Sequence, residues 1–145
     1  MKIVLFIQVF ATVFMVGLIW FVQIVHYPLY ANVGREQFRE YEALHNRLTT
    51  WVVGPAMLLE MVSAVALLRY APNGSTSLAW PGLGLLILIW ISTATLSVPA
   101  HNLLTAGFSD AAWQQLVSTN WIRTGAWSMR GVIVMVLTYR SVDLK

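Results

Sequence analysis

IVLFIQVFATVFMVGLIWFVQIV (residues 3–25) carries no charge and is interrupted only by the uncharged polar side chains Gln8, Thr12 and Gln23, apart from Gly17 and Trp20. A run of about 20 apolar residues is what a helix needs to cross the hydrocarbon core of a bilayer. Lys2 in front of it gives the stretch the look of a secretory leader. The run is too long for one, however, and His26-Tyr27-Pro28 stands where a small-residue cleavage site belongs, so it reads as a retained first span.

Working outward, Trp51 to Leu68, Leu78 to Val98 and Trp121 to Tyr139 are three more apolar stretches of spanning length. No segment between them is long enough for a soluble domain. With 58% hydrophobic and 10% charged residues, the composition is that of an integral membrane protein, whose backbone polar groups must be satisfied inside helices. The expectation is an all-α, polytopic four-transmembrane-helix bundle, with residues 1–145 forming one membrane domain.

The connections are unequal. Ala71-Pro72-Asn73-Gly74-Ser75 predicts a tight link. Gly34 to Thr50 predicts a short amphipathic helix between the first two spans. Its apolar face would be Phe38, Tyr41, His45 and Leu48, with Arg35, Glu36, Arg39 and Glu40 elsewhere. Ser109 can cap a further short helix whose apolar edge is Trp113, Leu116 and Val117.

An even number of spans puts both termini on one side. Lys2, Arg69, Arg140 and Lys145 flank that side, and Arg35, Arg39, Arg47 and Arg123 flank the other, so the positive-inside rule is tied. Cytoplasmic termini in a bacterial inner membrane are the expectation. The net charge of +3 is small and dispersed, which argues against nucleic acid as a partner, and the absence of cysteine excludes disulfides and thiolate metal sites. Membrane lipid, a lipophilic small molecule and further copies of the chain in a homo-oligomer are the partners such a bundle admits.

The chain has three histidines, His26, His45 and His101, and four spans place all of them at the end away from the termini. Neutral imidazole is a common ligand for iron, copper and zinc, and three can leave a coordination position open. Two could instead hold the iron of haem b from opposite faces. Glu42 stands three residues before His45, the spacing of carboxylate-bridged metal bundles, but only once. Pro28 and Pro99 interrupt regular helix beside His26 and His101, which suits a pocket mouth as well as a plain span end.

Polar stripes point the same way. Gln23 and His26 share a face of the first span; Thr93, Ser97 and His101 share one on the third; Asn120, Arg123, Trp127 and Arg130 share one on the fourth. Interhelical hydrogen bonding is the plainer account of the serine and threonine positions. Glu60 and Arg130 each lie nine residues beyond a tryptophan at a span start, Trp51 and Trp121, so their depths match. A mid-bilayer charge costs about 2.5–3.5 kcal/mol on insertion scales, and pairing is expected, with a ligand or proton-carrying role for Glu60 as the alternative. Arg123, nearer the histidines, could grip an anionic group or a lipid phosphate. Trp51, Trp121, Trp80, Tyr70 and Tyr139 fit interfacial belts, and Trp20, Trp90 and Trp127 lie deeper, as core or cavity wall.

The elements His26-Tyr27-Pro28-Leu29, Gly54-Pro55-Ala56-Met57, Val98-Pro99-Ala100-His101 and Asn120-Trp121-Ile122-Arg123-Thr124 resemble those of small bacterial four-helix membrane proteins of unknown function. More distantly, the chain is similar to the anthrone-oxygenase-like membrane family in its size, its four spans, the polar end of its third span and the region from Trp127 to Arg130. That resemblance implies oxygenation of polycyclic aromatic molecules. The functional expectation is a metal-dependent oxidoreductase acting on a lipophilic molecule. His26, His45 and His101 would hold iron, copper or zinc, Glu60, Arg123 and Arg130 would act in catalysis, and Arg123 with Trp127 would bind a cofactor. A carrier or accessory subunit with a Glu60/Arg130 polar core, or a haem b electron-transfer protein, are the alternatives.

Overall fold

The structure, a computed structural model, describes residues 2–70 and 76–143. The expected tight link at residues 71–75 lies outside them. Among the described residues every regular element is helical: α1 (Lys2–Phe21), α2 (Tyr27–Leu29), α3 (Phe38–Tyr70), α4 (Thr76–Ser92), α5 (Val98–Thr105) and α6 (Asp110–Asp143). They make four rods, because α1 runs on into α2 and α4 into α5. The rods form a ring in which α1 packs on α3, α3 on α4, α4 on α6 and α6 back on α1. α3 and α6 therefore stand diagonally opposite.

The prolines do not end their helices. Proline has no N–H, and its ring collides with the carbonyl four residues earlier, so a regular α-turn is costly there, although α3 and α4 run through Pro55 and Pro81 without widening. The backbone instead widens by one residue into a π-turn, at Val22–His26 ahead of Pro28 and at Thr93–Ser97 ahead of Pro99. The Tyr27 N–H donates to the Val22 carbonyl and the Val98 N–H to the Thr93 carbonyl, after which α-helix resumes. Such single-turn expansions occur often at functional sites. Here each coincides with a polar stripe.

Two expected boundaries vanish. The amphipathic segment and the second span are one helix, α3, and the Ser109-capped segment and the last span are one helix, α6. Neither Thr49-Thr50-Trp51 nor Thr119-Asn120-Trp121 contains a glycine or proline, and the helix continues where the hydropathy changes. Ser109 does cap, its Oγ accepting from the Ala112 N–H at 3.4 Å. The turn into α6 rests on Gly107, whose φ of +143° side chains rarely adopt.

Three helical rods, Lys2–Asn32, Phe38–Arg69 and Ser77–Thr105, are long and apolar enough to cross a membrane, and the chain is an integral membrane protein on that ground. α6 does not meet that standard, against the expectation of four apolar spans. The reason lies in Arg123 and Arg130, which lower its hydropathy although both are buried inside the bundle. Its outer face, with Ile122, Met129, Val132 and Met135 exposed, is as apolar as those of the other rods.

The core falls into three tiers. Leu5, Leu67 and Leu137 fill the end nearest the termini. Met15, Ile19, Met57, Leu86, Ile89 and Trp127 fill the middle. The far end is aromatic, with Tyr27, Tyr30 and Phe38 buried against Leu104 and Leu116.

Candidate functional site

The far end assembles from all four rods. The first π-turn ends on His26 and hands over to Tyr27; the second sets His101 one turn into α5; α3 brings Glu42 and His45; α6 brings Asn120 and Arg123. Each π-turn inserts a residue and has more residues per turn than an α-helix, so the side chains that follow sit less far round the helix than α-helical spacing gives.

The three histidines do come together. The His26 and His45 ring centroids are 4.7 Å apart, and those of His45 and His101 are 5.3 Å apart, nearly parallel. Tyr30, fully buried, sets its ring edge-on to both His26 and His45. His26 Nε2 lies 2.9 Å from His45 Nδ1, and Thr49 Oγ1 lies 3.2 Å from the same nitrogen.

Around His101 the bonds have a direction. Its Nδ1 is 2.5 Å from Glu42 Oε1, and Glu42 is fully buried. An ionised carboxylate can only accept, so with Glu42 ionised and His101 neutral Nδ1 carries the proton and Nε2 is left as an acceptor. Tyr27, its hydroxyl 3.0 Å from Nε2, then donates to His101, and its oxygen accepts from Arg123 Nη2 at 3.2 Å. Arg123 Nη2 also donates to Asn120 Oδ1, Asn120 Nδ2 donates to Gln23 Oε1 at 2.8 Å, and Gln23 Nε2 donates to the Val117 carbonyl at 3.2 Å. In that tautomer Arg123, Tyr27, His101 and Glu42 form a one-way chain, with a base at one end of the Tyr27 O–H and a cation at its oxygen. This arrangement can hold a proton or pass one along.

A cavity of about 410 Å³ lies beside the chain, with Tyr27, His45, His101 and Arg123 at its polar end and Met15, Ile19, Met57, Trp90 and Trp127 along its apolar wall. That volume and character suit a small lipophilic molecule. A second, almost wholly apolar cavity of about 380 Å³ lies on the other side of the α1/α3 seam and is lined by His26, His45, Tyr41 and Leu48. The two share Leu18, Val22, His45, Thr49 and Val53 as a common wall.

The donors do not converge as a metal centre. Among the described residues no group of three or more His, Asp or Glu side chains is arranged to hold a metal ion. His26 and His45 are bonded to each other, and both nitrogens of His101 are engaged by Glu42 and Tyr27. A haem between His26 and His45 fits less well still. Two axial nitrogens sit about 4 Å apart across an iron, twice a bond of about 2 Å, and no porphyrin plane passes between nitrogens 2.9 Å apart. The arrangement in this structure is a hydrogen-bonded cluster.

Glu60 and Arg130 meet as their depths foretell, across the diagonal of the ring. Arg130 Nε donates to Glu60 Oε1 at 2.9 Å, with side-chain exposures of 2% and 0%. Thr12 Oγ1 donates to the same oxygen at 2.8 Å, and Trp127 Nε1 donates to Oε2 at 3.0 Å. Arg130 Nη1 donates to the Gly82 carbonyl, so one network ties α1, α3, α4 and α6. Glu60 and Arg130 do not line the large cavity, whereas Arg123 and Trp127 do. Both Glu60 oxygens are committed to partners, while Arg130 Nη2 is buried without one.

From sequence, Glu42 stands out only for its spacing to His45, and Tyr27 has no role. Glu42 bonds to His101 across the bundle and not to its neighbour His45, and the inward face of α3 runs through Phe38, Glu42, His45 and Thr49, with Leu48 exposed. Helical spacing places Glu42 on that face, four residues after Phe38. Tyr27 was readable only as the residue beside His26. No protein-family model matches the chain, and no curated protein or solved structure is significantly similar to it.

Proposed function

We propose that this integral membrane protein binds a lipophilic small molecule inside the bundle, with the molecule's oxygen-bearing end at Tyr27, His101 and Arg123. The observation that carries this reading is the cavity of about 410 Å³, apolar along one wall and closed at one end by the directed chain. Binding of this kind serves a carrier or an accessory subunit as well as an enzyme, and the chain adds the means to exchange a proton with the bound molecule.

Gly54 offers a clean test. It borders the cavity, and a Cβ added there meets nothing within 4 Å, so Gly54→Phe fills the space without a clash at its root. Organic extraction of gently purified protein is expected to release a lipophilic compound at about one per chain, and Gly54→Phe to reduce this severalfold while the protein stays folded. Equal recovery from both would remove the cavity from the function.

The clustering of three imidazoles around buried Glu42, whose Oε2 lacks a hydrogen-bond partner, favours a second reading. This is the metal-dependent oxidoreductase at His26, His45 and His101 that resemblance to the oxygenase-like family implies. It requires the His26–His45 and His101–Glu42 bonds to open. Stoichiometric iron, copper or zinc that is released by each His→Ala change supports it, and metal-free protein under every loading condition rejects it.

For topology, α6 with its apolar outer face is the fourth crossing in this reading. Reporter fusions should place both termini in the cytoplasm of a bacterial host. Termini on opposite sides would reduce the crossings to the three apolar rods.

A further inference from the structure

Arg123 and Arg130 are both buried cations on one face of α6, yet only one of them has a counter-charge. Arg130 has Glu60. Arg123 is 8% exposed, and among the described residues it enters no salt bridge; its bonded partners, Tyr27 and Asn120, are neutral. Its Nε is buried without an acceptor, and so is the indole Nε1 of Trp90. Both side chains border the same cavity. The Tyr27 oxygen accepts from Arg123 Nη2 but from neither of these two donors.

A buried cation and two orphaned donors around one space define what is missing. A buried donor without a partner is costly, and a buried charge without its opposite costs more. A planar carboxylate is the group an arginine engages best, with two parallel bonds. The remaining wall, Met15, Ile19 and Met57, is apolar and suits a hydrocarbon tail. Resting on the lipophile-binding reading above, we propose that the ligand is a lipophilic monocarboxylate, held by Arg123 at its head and sheathed by that wall along its tail. A phospholipid phosphate offers a similar anionic oxygen, but two acyl chains exceed the space.

Dodecanoate and dodecanol share a tail and differ in charge. Their binding to the full-length protein, held in phosphatidylcholine nanodiscs, can be compared by calorimetry. A charge-assisted hydrogen bond contributes about 1.5–3 kcal/mol, so dodecanoate is expected to bind roughly tenfold or more tightly than dodecanol. Arg123→Gln should erase that preference, and Arg123→Lys should keep part of it, which controls for any loss of folding in the first variant. Gly54→Phe should weaken both ligands. Equal binding of acid and alcohol to the unaltered protein, or a preference that survives Arg123→Gln, overturns the carboxylate assignment and leaves the cavity reading standing. Absence of binding by either ligand overturns both. Displacement of dodecanoate when phosphatidylglycerol replaces phosphatidylcholine also overturns the monocarboxylate, because the anion is then the lipid's own phosphate.

Discussion

Glu60→Leu and Arg130→Met, made singly, are each expected to destabilise the bundle by about 3–5 kcal/mol, and the double change by much less than their sum. Removing one partner strands the other as a buried charge, whereas removing both leaves an apolar core. The geometry makes the Glu60 side the worse loss. Its two oxygens accept from Thr12 and Trp127 as well as from Arg130, so three donors on two helices lose an acceptor together. Glu60→Gln should be milder, because an amide oxygen still accepts from one or two of them. Unfolding in mixed micelles, run as a double-mutant cycle, measures the coupling. Additive single changes would show that the pair does not bind α3 to α6. Lost retention of the lipophile with stability intact would return Glu60 to the functional site.

That pair was readable from sequence because it rests on two regular quantities, the rise of a helix and the cost of a charge in hydrocarbon. The clustering of histidines was readable for the same reason: all three stand near helix ends on one side of the bundle, and topology alone brings them together. Their bonding was not. Whether three imidazoles share a metal or bond to their neighbours depends on rotations of a few tens of degrees, and here two π-turns set those rotations. Sequence showed Pro28 and Pro99 and suggested interruption; the backbone absorbed each proline by widening for one turn. Glu42 escaped for a different reason. A carboxylate on an otherwise charged amphipathic surface looks solvated, and only the packing of α5 against α3 reveals that it is fully buried opposite His101. Hydropathy averaged along α6 likewise cannot tell an arginine facing a partner from one facing lipid.

The second large effect belongs to that hidden carboxylate. His101→Leu should cost about 3–5 kcal/mol, since Glu42 would stay buried with only the Asn46 amide, 3.4 Å away, donating to it. Glu42→Gln should cost only about 1 kcal/mol, because the amide oxygen still accepts from His101 Nδ1–H and the chain through Tyr27 to Arg123 keeps its direction. Tyr27→Phe should fall between them, leaving His101 Nε2 without its donor and Arg123 without one of its two neutral acceptors. The ranking tests the proton assignment itself. A neutral imidazole between a carboxylate and a phenol tolerates an amide in place of the carboxylate, whereas an imidazolium does not, because it loses its counter-charge. If Glu42→Gln proves as damaging as His101→Leu in mixed-micelle unfolding, His101 is protonated on both nitrogens and Tyr27 cannot donate to it. The Tyr27 proton would then point into the cavity, and the tyrosine would become a donor to the bound head group.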